Sequence, residues 1–369
     1  MLVVIEENYK ISVWCREIVD GLRAEARKKR VSLTLSTSTD DIGCNTEDPA
    51  VIIVGAETEW LNLAARQAKS AKKHPIILSN QSGSDLEGGI SRVTEDIYGS
   101  MNEIMGLLAS KGHETVALYA HNPDSASDCF KKEAFLKSGG LSENIFENLG
   151  SLEACFEEFY QKHEEKGYGG IVCSNDFAAI SLIRHLKDKG EDIGDIDIIS
   201  YSNTLMARCT SPSVSTVKAN FNRFGQLAFM IVDCIGKGDG ISGISILCDW
   251  EILHRETSSP ASTDTNATSQ TSPTRSGSFY GDGELMEMMR IETLLSECDE
   301  TDIEIANAIL EGKKSAEIIN SCFLTETAVK YRIRKMKDIC HAESRAQLQE
   351  FLSKYLTSSI DKSAVLRYN

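Results

Sequence analysis

The chain contains no pair of cysteines at CxxC spacing and no cysteine–histidine cluster with zinc-ligand spacing, although 11 of its 369 residues are cysteine. Structural zinc sites and thioredoxin-like redox motifs are therefore not expected. The opening MLVVIEENYK is too short and too soon charged for a secretory leader. An odd number of thiols without a leader predicts reduced cysteines in a cytoplasmic setting. No apolar run is long enough to cross a bilayer, so no membrane partner is expected. Positive charge is also lacking overall, with 39 Lys and Arg against 55 Asp and Glu and a formal net charge of −16. Contact with nucleic acid must then rest on a local basic patch, while the acidic remainder repels DNA and orients the chain on it.

Catalytic constellations are missing too. Gly238, Gly240 and Gly243 match GxGxxG but follow a helix and precede a strand, the reverse of the order a dinucleotide site needs, so they read as a turn. Gly312-Lys313-Lys314-Ser315 lacks the first glycine of a phosphate-binding loop. The 7 histidines are scattered, and His113 suits a helix C-terminus near the negative end of the dipole. No catalytic residue, metal ligand or cofactor is assigned, and an enzyme is not expected.

What is present is a long alternation of strand-like and helix-like runs from residue 2 to about 256. Leu2 to Ile5, Val31 to Leu35, Val51 to Val54, Pro75 to Leu78, Thr115 to Tyr119, Gly170 to Cys173 and Ile196 to Ser200 read as strands. Between them lie helical stripes such as Val13, Trp14, Ile18, Leu22 and Ala26, and helices at 101–108, 176–189 and 220–235. Continuous apolar strands between amphipathic helices predict parallel sheets covered on both faces, and more than one sheet is needed. The segment from Thr257 to Ser278 is small and polar with two prolines and reads as a flexible linker. Beyond it, Leu285, Met288, Met289, Ile291 and Leu295 stand in helical register. The preferred reading is a helix packed on the C-terminal unit, and pairing with its own copy in a dimer is the other.

The densest basic patch follows. Ala316, Ile318 and Ile319 give one short helix its apolar side, and Thr325 suits the N-cap of the next. On that second helix Val329, Ile333 and Met336 share a face, while Lys330, Arg332, Arg334, Lys335 and Lys337 lie elsewhere, against the single acid Glu326. Two helices joined by a tight turn, the second one basic, suit a DNA major groove.

This run resembles the LuxR/GerE-type helix-turn-helix. The resemblance rests on Glu311-Gly312, Glu317-Ile318, Thr325-Glu326-Thr327-Ala328-Val329-Lys330 and Ser344-Arg345, departs from that pattern at Ala328 and before Asp302, and covers the last fifth of the chain. It implies a DNA-binding face made by Thr325, Thr327, Lys330, Tyr331, Arg332, Arg334 and Lys335. Thr327, Lys330, Tyr331 and Arg334 would be placed for bases, and Arg332, Lys335 and Lys337 for phosphates.

A second resemblance covers about two thirds of the chain. Lys111 to Ala117, Cys173 to Ala179, Asp197 to Thr204, Ser215 to Lys218, Gly225 to Ala228 and Trp250 to Glu256 resemble, in order, motifs of the LacI/GalR-type effector domain. That domain is related to periplasmic sugar-binding proteins. It implies an α/β fold with two lobes, one from 2–93 and 220–243 and the other from 94–219, and a ligand cleft between them. Carried over position by position, the cleft residues are Asn8, Tyr9, Asp128, Asn175, Asp176 and Ser202, with Ala219 or Asn220 before the last long helix. Asp176 has the equal alternative of a helix N-cap. The arginine that grips a sugar in many members is replaced by Cys129 beside Asp128, and an aspartate by Ser202, which weakens the hold on vicinal hydroxyls. The DNA-binding unit stands at the opposite end from its place in that family.

The expected organisation is a periplasmic-binding-like sensor (1–256), a linker (257–283), a helix-turn-helix domain (284–358) and a tail (359–369). The expected function is a ligand-responsive transcription regulator. It would take a small molecule, a sugar or sugar-like metabolite, and operator DNA, as a homodimer. The alternative is a solute sensor whose C-terminal helices dock a protein partner.

Overall fold

The computed structural model describes residues 1–44, 48–79, 88–236, 240–259, 282–356 and 359–366. The chain begins with β1 (Leu2–Ile5), α1 (Val13–Lys29), β2 (Thr34–Ser36), β3 (Ala50–Val54), α2 (Thr58–Ser70), β4 (His74–Leu78) and β5 (Ser91–Glu95). It crosses into a second lobe with α3 (Ile97–Ser110), β6 (Val116–His121), α4 (Ala126–Lys137), β7 (Ile145–Glu147), α5 (Leu152–Lys166) and β8 (Gly170–Cys173). There follow α6 (Asp176–Asp188), β9 (Asp197–Tyr201), α7 (Leu205–Cys209) and β10 (Ser215–Ala219). The chain then returns through α8 (Phe221–Ile235) and β11 (Ser245–Cys248) to lobe one, and crosses again to β12 (Trp250–Leu253).

Two six-stranded sheets result, ordered β11-β5-β4-β3-β1-β2 and β12-β10-β9-β8-β6-β7, parallel throughout except for the β10–β12 pair. Strands β1, β3, β6 and β8 are buried along their whole length, which is why they read as unbroken apolar runs. This is the type I periplasmic-binding-like fold; lobe one also takes in β11, beyond the expected limit at 243, and β12 joins lobe two. The strand expected at 31–35 is the short β2, half exposed at the sheet edge and displaced toward Ser36.

Helices α1 and α8 pack at very close range. A Cβ on Gly21 would collide with the Asn222 carbonyl oxygen, and one on Gly225 with the Leu22 backbone nitrogen. Glycine inside a helix normally costs about 1 kcal/mol relative to alanine. Here Gly21→Ala is instead expected to destabilise by roughly 1–3 kcal/mol through overpacking, read as a lower urea midpoint.

The C-terminal helices are α9 (Gly283–Glu297), α10 (Glu300–Leu310), α11 (Ser315–Ser321), α12 (Glu326–Cys340), α13 (Arg345–Tyr355) and α14 (Lys362–Leu366). They are not a detached unit. Met288, Ile291, Leu294 and Leu295 of α9 belong to one hydrophobic cluster with Ile303, Ile309, Val329 and Met336 on one side and Leu182, Ile183, Met206 and Val214 of lobe two on the other. Most of the expected linker lies outside the described residues. Its first two, Thr257 and Ser258, are buried, and the Thr257 hydroxyl donates to the Ile198 carbonyl at 2.7 Å.

Candidate functional site

A cavity of about 150 Å³ lies where the C-terminal ends of both sheets face each other. This is where the open edge of a parallel α/β sheet presents helix starts and loop side chains. Lobe one contributes Tyr9 after β1 and Trp14 at the start of α1, their rings 5.8 Å apart. Lobe two contributes Asn122, Asp128 and Lys131 around β6 and α4, then Asn175, Phe177 and Ser202.

Of the residues proposed from sequence, Tyr9, Asp128, Asn175 and Ser202 are brought to this one cavity. Asn8 is exposed and lies outside the lining. Asp176 is a correction. It is the first residue of α6, points under the site and is fully buried. Its carboxylate accepts the Thr204 amide at 2.6 Å, the Thr216 hydroxyl at 2.7 Å and the Ser200 hydroxyl. Burial pushes its pKa up, opposed by those hydrogen bonds. The N-cap of α6 is Asn175, whose side-chain oxygen accepts the Ala178 amide at 3.0 Å. Asp176 therefore ties α6 to β9, β10 and the start of α7. Neither Ala219 nor Asn220 lines the cavity; Asn220 caps α8 by accepting the Arg223 amide.

Lys131 was not singled out from the sequence. It is buried one helical turn after Asp128, pairs with it at 2.8 Å and donates to the Ser174 carbonyl at 2.6 Å. The i, i+3 spacing of acid and base was the available signal. Ser202 stands at the rim with φ +112°, a backbone conformation that L residues seldom adopt. Cys129 has its thiol pushed up to about 11 by burial and is thus an inert group rather than a nucleophile.

The cavity has a third wall that no sequence signal indicated. Leu285, Met289, Glu292 and Thr293 of α9 line it. Helix α9 is bound to lobe two by three acids. Asp282 accepts the Leu152 amide at 2.6 Å, Glu284 takes the Arg184 guanidinium at 2.6 Å, and Glu292 accepts the amides of Leu205 and Met206 at 2.9 and 2.8 Å. Arg16 of lobe one reaches Ser296 of the same helix at 3.1 Å. Burial raises the Glu292 carboxyl to about 7, offset in part by the two amides.

On α12, Val329 and Met336 are buried and Ile333 packs against the same core, while Thr325 accepts the Ala328 amide as N-cap. Thr327, Lys330, Tyr331 and Arg334 are exposed, with Lys330 paired to Glu326 at 2.7 Å. Arg332 differs from its expected phosphate-facing place. Its guanidinium lies on Asp302 at 2.6 Å and Asp299 at 2.8 Å, the two acids of the α10 capping box. Lys335 is half-buried and pairs with Glu297 at 3.4 Å.

Residues 105–258 match the family model described as a periplasmic binding protein-like domain. The NTD biosynthesis operon regulator NtdR of Bacillus subtilis is 23% identical over 219 residues, 57% of this chain and 65% of that protein. The lactose operon repressor of Escherichia coli is 24% identical over 148 residues, 38% of this chain and 41% of that one. The chain thus spans less than two thirds of these relatives. Among solved structures, the CelR–cellobiose complex superposes with a TM-score of 0.58 at 17% identity, over 70% of this chain and 83% of that one. The sucrose-bound CcpA regulator of Weissella paramesenteroides gives 0.54 at 18% identity, over 69% and 97%. These matches show that residues 105–258 are similar to a periplasmic binding protein-like domain and that the fold is shared with solved LacI-type regulators. The relatives that match in sequence carry the names of transcription regulators and repressors, not enzymes. Among the described residues no helix is long and apolar enough to cross a membrane, and no acid, histidine and cysteine group has metal-site geometry.

Proposed function

We propose that this protein is a ligand-responsive transcription regulator. It holds a small molecule between its lobes and binds operator DNA, as a homodimer, through α11 and α12. The observation that carries the DNA assignment is the outward face of α12. Thr327, Lys330, Tyr331 and Arg334 are exposed together on the second of two helices joined by a turn, above an apolar face sealed in the core. Tyr331 is 70% exposed and so is open to stacking or groove contact. Support for the ligand comes from the cavity between the lobes, in a fold whose solved neighbours include complexes with cellobiose and sucrose.

The test is a salt titration of binding to DNA selected from a random pool and to unselected DNA. Lys330→Ala is expected to lose sequence-specific binding, by roughly 1–3 kcal/mol on selected DNA, while the protein stays folded. Loss of a phosphate contact would lower the salt slope by about one unit on all sequences. Arg332→Ala is expected to act through stability instead, because it removes the partner of Asp299 and Asp302. Unchanged affinity for Lys330→Ala would favour the protein-docking reading, for which the exposed Phe323 in the turn before α12 would be the anchor.

A further inference from the structure

We infer that α9 is itself part of the ligand site. In this reading Met289 and Thr293 are specificity-determining residues for an uncharged, single-ring molecule held between the lobes. The inference rests on the interlobe cavity being the ligand site, and three observations carry it.

The first is the two-sidedness of α9. Leu285, Met289, Glu292 and Thr293 are spaced i, i+4, i+7 and i+8, so they share one face, and all four line the cavity. Met288, Ile291, Leu294 and Leu295 occupy the opposite face and lie in the core shared by lobe two and the C-terminal helices. The helix that walls the cavity is thus the helix that carries α10 to α13.

The second is how α9 is held. Asp282, Glu284 and Glu292 fasten it to lobe two, and Arg16 of lobe one is hydrogen-bonded to it through Ser296. A molecule between Tyr9 and Trp14 on one side and Met289 on the other would add contacts between lobe one and α9. Ligand would then favour one placement of α9 relative to lobe one, which is the differential binding any ligand-driven shift requires.

The third is charge. The titratable side chains of the lining are two bases, Arg16 and Lys131, and two acids, Asp128 and Glu292. Lys131 is paired with Asp128 at 2.8 Å, and Arg16 donates to the Ser296 hydroxyl at 3.1 Å. A charged ligand would have to displace one of these partners, which a neutral ligand need not do. Aromatic and aliphatic surface from Tyr9, Trp14, Phe177 and Met289 faces polar atoms of Asn122, Asn175 and Ser202. A closed apolar cavity of about this volume takes up benzene in another protein, so the space admits one ring. The Thr293 hydroxyl donates to the Met289 carbonyl at 2.9 Å, which leaves its lone pairs to accept from a ligand hydroxyl.

The experiment is calorimetric titration of the full chain with phenol, methyl β-D-glucopyranoside and benzoate. Variants Tyr9→Ala, Met289→Ala and Thr293→Val are compared with the parent, each checked for its melting transition. The two neutral probes should bind and benzoate should not. Tyr9→Ala and Met289→Ala should each weaken the bound probe about tenfold, and Thr293→Val, which keeps the shape, should weaken the glucoside more than phenol. If Tyr9→Ala weakens binding but Met289→Ala and Thr293→Val do not, the role of α9 is overturned while the interlobe ligand site stands. If no variant alters binding of a probe that the parent binds, the interlobe site itself is overturned. Tight binding of benzoate alone, or of none of the three, overturns the uncharged single-ring class and the inference with it.

Discussion

Asp176→Ala is expected to lower the stability of the folded chain by about 3 kcal/mol, a larger effect than removal of any exposed residue of the cavity rim. The carboxylate is fully buried and accepts from the Thr204 amide and from the hydroxyls of Ser200 and Thr216. The two hydroxyls have second acceptors in the Ser215 and Val217 carbonyls, at 3.3 and 3.4 Å. The Thr204 amide has no such alternative among its described hydrogen bonds, so the main cost is one buried N–H left without a partner. Asp176→Asn retains an acceptor and should lose roughly half as much. Thermal and urea melts of the three proteins check this. An unchanged melting midpoint together with lost ligand affinity would return Asp176 to the cavity as a contact residue.

Glu292→Ala should unseat α9 from lobe two, again at a cost of about 3 kcal/mol, because the amides of Leu205 and Met206 at the start of α7 are then buried with no acceptor. Glu292→Gln separates charge from shape. Burial raises this carboxyl from 4.5 to about 7, with Asp176 adding to the rise and Arg16 opposing it. The folded state therefore prefers the protonated acid. That contribution is fully present below pH 4.5 and is lost as pH rises through about 7. The full change amounts to roughly 3 kcal/mol. Glutamine imitates the protonated form, so the gap between the Glu292→Gln and parent melting midpoints should widen in favour of the variant between pH 5 and 8. Glu6, also raised to about 7 by burial, changes in the same direction in both proteins and cancels from the comparison. A gap that is flat with pH would mean that Glu292 stays ionised throughout.

Much of the fold was legible because its cause is local. A short β-branched apolar run such as Val51 to Val54 suits a strand buried on both faces, and it lies in the middle of the first sheet. Thr325 before an apolar-periodic run declared a helix start, and Val329, Ile333 and Met336 turned inward as their spacing required. Tyr9, Asp128, Asn175 and Ser202 were legible only through the family resemblance, which carried them over position by position; they meet at one cavity because strand ends of parallel sheets lie on one side.

What only the tertiary structure decided is which partner each face meets. Helical spacing says that Leu285, Met289 and Thr293 share a face of α9, but the surface they cover is set by where lobe one lies, hundreds of residues away in the chain. Arg332 had the composition of a phosphate contact, yet Asp299 and Asp302 lie within reach only because α10 and α12 pack together. Asn175 and Asp176 are neighbours with similar capping chemistry. The start of α6 turns the first toward the cavity and the second toward β9, β10 and the start of α7, where three donors wait for it. Periodicity assigns residues to faces, but burial, hydrogen-bond partners and charge pairing depend on contacts between segments distant in sequence, and those exist only once the chain has folded.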